Sequence, residues 1–171
     1  KHGAQLIKVC VSGGVMSHTG LPGAQHYSDE ELRAIVDEAH RRGLKVASHT
    51  HGADAVRAAV AAGIDCIEHG FLIDDDAIDQ MVQNGTFLVP TTRLADAMDI
   101  SHAPADLQAK AAEMFPKART SVLAAYKAGV KIAVGTDAPA IPHGKNADEL
   151  VALVDRGMPP LAVIQAATIN A

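Results

Sequence analysis

Four ionisable residues fall where chemistry is usually placed in a chain of alternating strands and helices. Lys8 lies within Leu6-Ile7-Lys8-Val9-Cys10-Val11, His49 closes the run 45–49, His69 closes the run 64–69, and Asp137 follows Gly135-Thr136 at the end of the run 131–135. Imidazole and carboxylate are ligand types for a divalent metal such as zinc, and a catalytic site keeps one position open for water. The ion brings the pKa of that water down towards ~7, where a neighbouring carboxylate can take its proton. Lys8 is a poor ligand as an ammonium and a costly residue inside an apolar run. Strand alternation places it on the side of Leu6 and Cys10, opposite Ile7, Val9 and Val11. Taken singly, each residue has an ordinary reading: a snorkelling strand lysine for Lys8, a hydrogen-bonded structural histidine for His49 or His69. Ionisable groups delivered to one rim by four of five strands favour the metal reading.

The elements that must position these groups repeat one pattern: a β-branched run, a polar or glycine turn, and an amphipathic helix closed by glycine. Ser28 and Glu31 form a capping box for a helix carrying Leu32, Ile35, Val36 and Ala39 and ended by Gly43. A helix with Val56, Ala59 and Val60 closes at Gly63, and one through Ile78, Met81 and Val82 closes at Gly85. The fourth run, 86–89, leads to a longer helical region over about residues 105–127, expected to break or kink at Pro116. Asn146 and Glu149 read as a second capping box, for Leu150, Leu153 and Val154, and Pro159-Pro160 open a last helix with Leu161 and Ile164. Such alternation predicts an α/β fold with a parallel sheet. Ser12-Gly13-Gly14 does not make the glycine turn of a dinucleotide-binding sheet, so a partial (β/α)8 TIM barrel of about five βα units fits better.

Composition narrows the remaining classes. With 171 residues, 48% hydrophobic, 20% charged and a net charge of −5, the chain can supply a core for about one domain, which excludes disorder as a description of the whole. No uncharged apolar stretch approaches a membrane span and no leader pattern opens the chain, so a cytoplasmic protein is expected, with any export signal outside the sequence. Scattered Lys and Arg without interleaved aromatics leave no footprint for nucleic acid. Cys10 and Cys66, both in apolar runs, read as small buried hydrophobes in a reducing compartment. The start at Lys1 and the end at Thr168-Ile169-Asn170-Ala171, inside an apolar-periodic segment, suggest a fragment of a longer protein.

Taken in order, Ile7-Lys8-Val9, Ser12-Gly13-Gly14-Val15-Met16-Ser17, Ser48-His49-Thr50-His51-Gly52, Ile67-Glu68-His69-Gly70, Val89-Pro90-Thr91 and Gly135-Thr136-Asp137-Ala138 resemble the amidohydrolase superfamily. The likeness is nearest to its binuclear Xaa-Pro dipeptidase branch, which includes prolidases and carboxypeptidases. It implies a distorted (β/α)8 barrel with a small β-sandwich built from flanking sequence. Residues 1–171 would then be the C-terminal part of the barrel domain, strands four to eight, lacking the N-terminal strands and the sandwich. Lys8 matches the lysine that carbon dioxide converts to a carbamate bridging two divalent ions, typically zinc. His49 and His69 match metal-binding histidines, and Asp137 matches the aspartate that binds metal and shuttles the proton.

The resemblance also carries expectations about what is missing and what is bound. The family's His-x-His pair at the end of strand one has no upstream counterpart here, and His49-Thr50-His51 has its letters but not its position. The piece alone is therefore expected to be inactive, its open strand edges inviting association with a second copy. The implied reaction is hydrolysis of a C–N amide or peptide bond in a dipeptide or N-acyl amino acid. Candidates for binding such a small-molecule substrate are His51, Tyr27, Arg93 and His143. His51, two residues beyond the expected strand end, is the second choice after His49 for the metal-binding histidine of that strand, and its bland alternative is capping or orienting the next helix; for the others the alternative is a solvated loop position. His18, His26 and His102 share that loop alternative, and His2 and His40 have no expected role. Two rivals stand. A mononuclear deaminase of the imidazolonepropionase kind would carry Glu three residues after the strand-five histidine and lack the strand-four lysine, whereas Gly52 and Lys8 stand here. A nonenzymatic α/β module binding a small molecule would use these residues only structurally.

Overall fold

Five parallel strands pair in sequence order, β1 (Leu6–Cys10), β2 (Lys45–Gly52), β3 (Cys66–Leu72), β4 (Phe87–Val89) and β5 (Lys131–Ile132). This computed structural model describes residues 3–17 and 21–171. The helices between the strands are α1 (Asp29–Arg41), α2 (Ala53–Ala62), α3 (Asp75–Asn84), α4 (Leu94–Ala97) and α5 (Ala105–Ala128), with α6 (Ala147–Asp155) and α7 (Pro160–Ala166) following β5.

Local chemistry accounts for most boundaries. Both arms of the expected capping box start α1: Ser28 Oγ accepts the Glu31 N–H, and Glu31 Oε2 accepts the Ser28 N–H. Leu32, Val36 and Ala39 are the buried face that follows. Helices α2, α3 and α5 end at Gly63, Gly85 and Gly129, all left-handed, as closing glycines must be where a Cβ would be strained. Strand residues Val46, Ile67, Leu88 and Ile132 interlock with Val36, Val60, Ile78 and Val122 of the helices in one core. Along β1, Ile7 and Val9 pack against this core while Leu6, Lys8 and Cys10 are exposed, the expected alternation.

Several expectations fail for physical reasons. Helix α5 runs through Pro116 without a break, because seven buried side chains along its length, from Leu107 to Ala125, hold it across the one lost hydrogen bond. Asn146 makes no side-chain cap, and Glu149 turns inward to serve the loop after β4 instead. Helix α7 buries Val163 and Ala166 and exposes Leu161 and Ile164. Cys10 is exposed, since it points away from the core, and Cys66 is half-buried beside Glu68, where burial pushes its thiol up to about 12. Strands β2 and β3 run three residues further than the sequence suggests, which matters for the site.

Candidate metal centre

His49 and His51 sit two apart on β2 and therefore face one side, while Ser48 and Thr50, which alternate with them, point the other way and join through a 2.8 Å buried hydroxyl pair. The His51 N–H donates to Ser12 Oγ at 2.9 Å, tying β2 to the loop after β1. His69 comes from β3, where Thr50 is its pairing partner, so regular alternation would turn it towards the helices. A left-handed φ of 72° at His69 and a register shift in the β2–β3 ladder break that alternation. The bulge re-aims the imidazole, so that ligand nitrogens of His49, His51 and His69 lie within 4.8 Å of one another. Ring centroids are 4.6–4.9 Å apart.

The electrostatics keep this trio uncharged. Burial lowers His51 well below an ordinary imidazole, with His69 and His49 adding to the effect. It brings His69 to about 3, helped by His49 and Lys8. His49 is lowered by burial and by the Lys8 charge, against an opposing pull from Asp137. Neutral imidazole is the form that binds metal. His69 Nδ1 is 2.7 Å from Thr91 Oγ1, which leaves Nε2 for a ligand. His51 Nδ1 is buried and finds no hydrogen-bond partner among the described residues, a costly state for a polar atom unless a cation or ligand group engages the ring. The β1–α1 loop closes over the trio at Gly14, where a Cβ would lie 2.8 Å from His49 Nε2 and 3.1 Å from His51 Nε2. Only glycine permits that approach.

A cavity of about 380 Å³ opens from these rings. His26, Ser12, Ser17 and Asp137 give it further polar edges, and Val15, Met16, Phe71, Leu94, Met98 and Phe115 an apolar wall. Asp137 is exposed at this wall with φ 57°. His69 within β3, Thr91 just after β4 and Asp137 in the loop after β5 are the non-glycine residues with positive φ among those described. Strain gathered at one rim is a mark of a working site rather than of a packing solution.

The sequence-derived candidates separate in the fold. His49, His69 and Asp137 meet at the cavity, and His51 joins them. The alternative in which His51 caps the next helix is overturned: β2 continues to Gly52, which is itself the N-cap of α2, and makes no side-chain bond. The His-x-His period around β-branched Thr50 was the signal for a longer strand. Lys8 lies on the cavity side of β1 but outside the lining, its Nζ 3.4 Å from Glu68 Oε2. Tyr27 packs against the core, Arg93 pairs with Asp96 at 3.7 Å in another hollow, and His143 is exposed in the loop before α6; none of the three lines the cavity. His26 does line it, His102 is exposed, and His40 pairs with Asp65. His2 and His18 lie outside the described residues. Gly14, Thr91 and the apolar wall were not legible as site residues, because each acts through contacts distant in sequence.

Residues 1–171 match the Amidohydrolase family along their whole length. The chain belongs to the amidohydrolase family. It is 38% identical over 175 residues to an ochratoxinase of Aspergillus niger, covering 100% of this chain and 36% of that protein. It is 42% identical over 137 residues to an uncharacterized protein of Mycobacterium tuberculosis, covering 77% of this chain and 37% of the other. Among solved structures, a Xaa-Pro dipeptidase with methionine bound in its active site superposes with a TM-score of 0.92 at 39% identity, over 98% of this chain and 43% of that one. The Aspergillus niger ochratoxinase follows at 0.87 and 38% identity, over 98% and 38%. This amidohydrolase chain thus spans well under half of the length of the proteins it matches, and its five parallel strands in sequence order have the arrangement of a partial (β/α)8 barrel. Among the described residues no helix is long and apolar enough to cross a membrane.

Proposed function

We propose that this chain belongs to the catalytic barrel of a metal-dependent hydrolase that cleaves the C–N bond of a dipeptide or an N-acyl amino acid. The observation that carries the reading is the convergence of three neutral imidazoles, one with an orphaned buried nitrogen, on the cavity at the C-terminal rim of the sheet. That donor set fits a divalent ion, zinc being the natural candidate for imidazole and carboxylate. His49, His51 and His69 would hold it, with Asp137 at the edge of the same cavity. When bound, such an ion supplies a water that ionises near neutral pH and polarises the substrate carbonyl. The Asp137 carboxylate takes the proton of the attacking water and returns it to the leaving nitrogen. The apolar wall of Phe71, Leu94 and Phe115 seats hydrocarbon and excludes bulk water. Lys8, on the cavity side of β1, would join the site as a carbamate: its neutral Nζ would bond to carbon dioxide with loss of one proton, adding a carboxylate to the donors available for a second ion. The substrate class rests on the similarity to a Xaa-Pro dipeptidase and an ochratoxinase.

Metal analysis of the full-length protein tests this reading, combined with a hydrolysis screen over dipeptides with varied C-terminal residues. Two zinc ions per chain are expected, lost in Lys8→Ala and partly restored by short carboxylic acids. A protein that binds no divalent metal, or an Asp137→Asn variant as active as the parent, would overturn it.

A further inference from the structure

We propose that Glu149 is a positioning residue for the metal centre: its buried carboxylate holds the loop after β4 so that Thr91 keeps its hydroxyl on His69 Nδ1 and aims that imidazole into the cavity. The inference rests on the metal reading for its purpose, though not for its geometry.

Glu149 sits on α6 and is 1% exposed. Its Oε1 accepts the Thr92 N–H at 2.7 Å and its Oε2 accepts the Arg93 N–H at 2.8 Å, across more than fifty residues of sequence. Arg156, just beyond the same helix, holds Thr92 from the other side: Nε donates to Thr92 Oγ1 at 2.6 Å and Nη2 to the Thr92 carbonyl at 3.1 Å. Thr92 Oγ1 in turn donates to the Ala118 carbonyl of α5 at 2.9 Å. Every polar group of Thr92 is thereby fixed.

The residue before it is the one that reaches the site. Thr91 is held at φ 44°, a region that β-branched residues avoid and that persists only where the surroundings over-determine it. Glu149 and Arg156 are those surroundings. From this turn Thr91 Oγ1 lies 2.7 Å from His69 Nδ1, and orienting contacts of this kind fix both the tautomer and the direction of a metal-binding histidine. A carboxylate is required because both of its oxygens accept from backbone N–H groups. A glutamine would present an N–H to one of them, although it keeps the shape.

The test uses the full-length protein with Glu149→Gln, Thr91→Val and the double variant, read by Co2+ titration of the visible spectrum and by the imidazole 15N shifts of His69 in the metal-free state. Each single variant is expected to weaken Co2+ binding about 10- to 100-fold, the range for groups that orient a ligand. The double variant is expected to be no weaker than the worse single one, because both act through one contact. The His69 Nδ1 shift should move in Glu149→Gln as it does in Thr91→Val. A folded Glu149→Gln protein with parental Co2+ affinity and an unmoved His69 shift overturns the proposal, leaving Glu149 a purely structural anchor. If the parent binds no Co2+, the metal reading fails, and the His69 shift alone decides whether Glu149 positions the ring. Should Glu149→Gln not fold, Arg156→Lys loosens Thr92 from the opposite side and is judged by the same two readouts.

Discussion

At the N-terminal end of the sheet, Asp65 accepts hydrogen bonds from His40 Nε2 at 2.7 Å, Lys45 Nζ at 2.6 Å and the Val46 N–H at 2.9 Å. At the C-terminal end, His51 Nδ1 has no partner among the described residues, His69 and Asp137 carry left-handed backbones, and a glycine is needed to let the covering loop close. Both ends contain histidine, yet one is saturated with hydrogen bonds and charge pairs while the other is neutral, strained and incompletely satisfied. Saturation is what stability requires of polar groups. Unspent valence and strain, held in place by neighbours, is what a ligand-binding rim requires. The same division places stability at the bottom of a parallel α/β barrel and chemistry at the top.

Substitutions at the two ends should therefore separate stability from activity. The largest effect belongs to His69→Ala, which removes a proposed ligand outright. In the full-length protein it should lower hydrolysis by more than about 100-fold, beyond the range of a residue that merely supports a ligand, with little change in the Tm of the metal-free protein at pH 7. His40→Ala should instead lower Tm while leaving hydrolysis near the parental rate, and a His40 variant that lost activity while folded would erase the distinction between the two ends. Next comes Gly14→Ala. Its methyl would meet His49 Nε2 at 2.8 Å, and overpacking of this kind costs about 1–3 kcal/mol. Because the strain falls on the rings themselves, divalent metal affinity should drop about tenfold or more, a factor worth 1.4 kcal/mol. Isothermal titration with Zn2+ reads it, and unchanged affinity would show that Gly14 does not press on the trio.

What could be read from the sequence follows the same line. The strand–helix alternation, the Ser28–Glu31 box and the closing glycines were legible because each is a local rule, satisfied within a few residues. His49, His69 and Asp137 were legible as strand-end ionisable groups. His51 was misplaced because the strand was stopped at the first histidine, when Thr50 and the period of two argued for continuing it to Gly52. The face of α7 and the role of Glu149 were not legible, since tertiary contacts decided them: Glu149 occupies the position of a capping residue and answers instead to Thr92 and Arg93. Nor could periodicity foresee the His69 bulge. A left-handed histidine has no sequence signature, and here it decides which side of the sheet the ring faces.

Acid titration offers the finest test of the contrast, because the two ends should respond over different pH windows. Burial alone would raise Asp65, but its hydrogen bonds from Lys45, His40 and Val46 outweigh that and hold its carboxyl below the usual 3.8. A depressed carboxylate contributes stability above its unfolded value and loses it as pH falls through the folded one. Asp65→Asn should thus lower stability by about 1–2 kcal/mol, a modest figure because Lys45 and His40 remain largely exposed. That deficit should shrink below about 4, the unfolded carboxylate range. For His69 the folded value is about 3 against 6.5. The unfolded chain then binds the extra proton over that interval, so the contribution of His69 to stability falls as pH drops below about 6.5. Relative to the parent, His69→Ala should gain stability between pH 7 and 5, well above the range in which the Asp65→Asn deficit shrinks. Thermal melts of the metal-free full-length protein across this range distinguish the two. Parallel pH curves for both variants would mean that the rim histidine is not held neutral by burial, and the opposition between the two ends would lose its electrostatic basis.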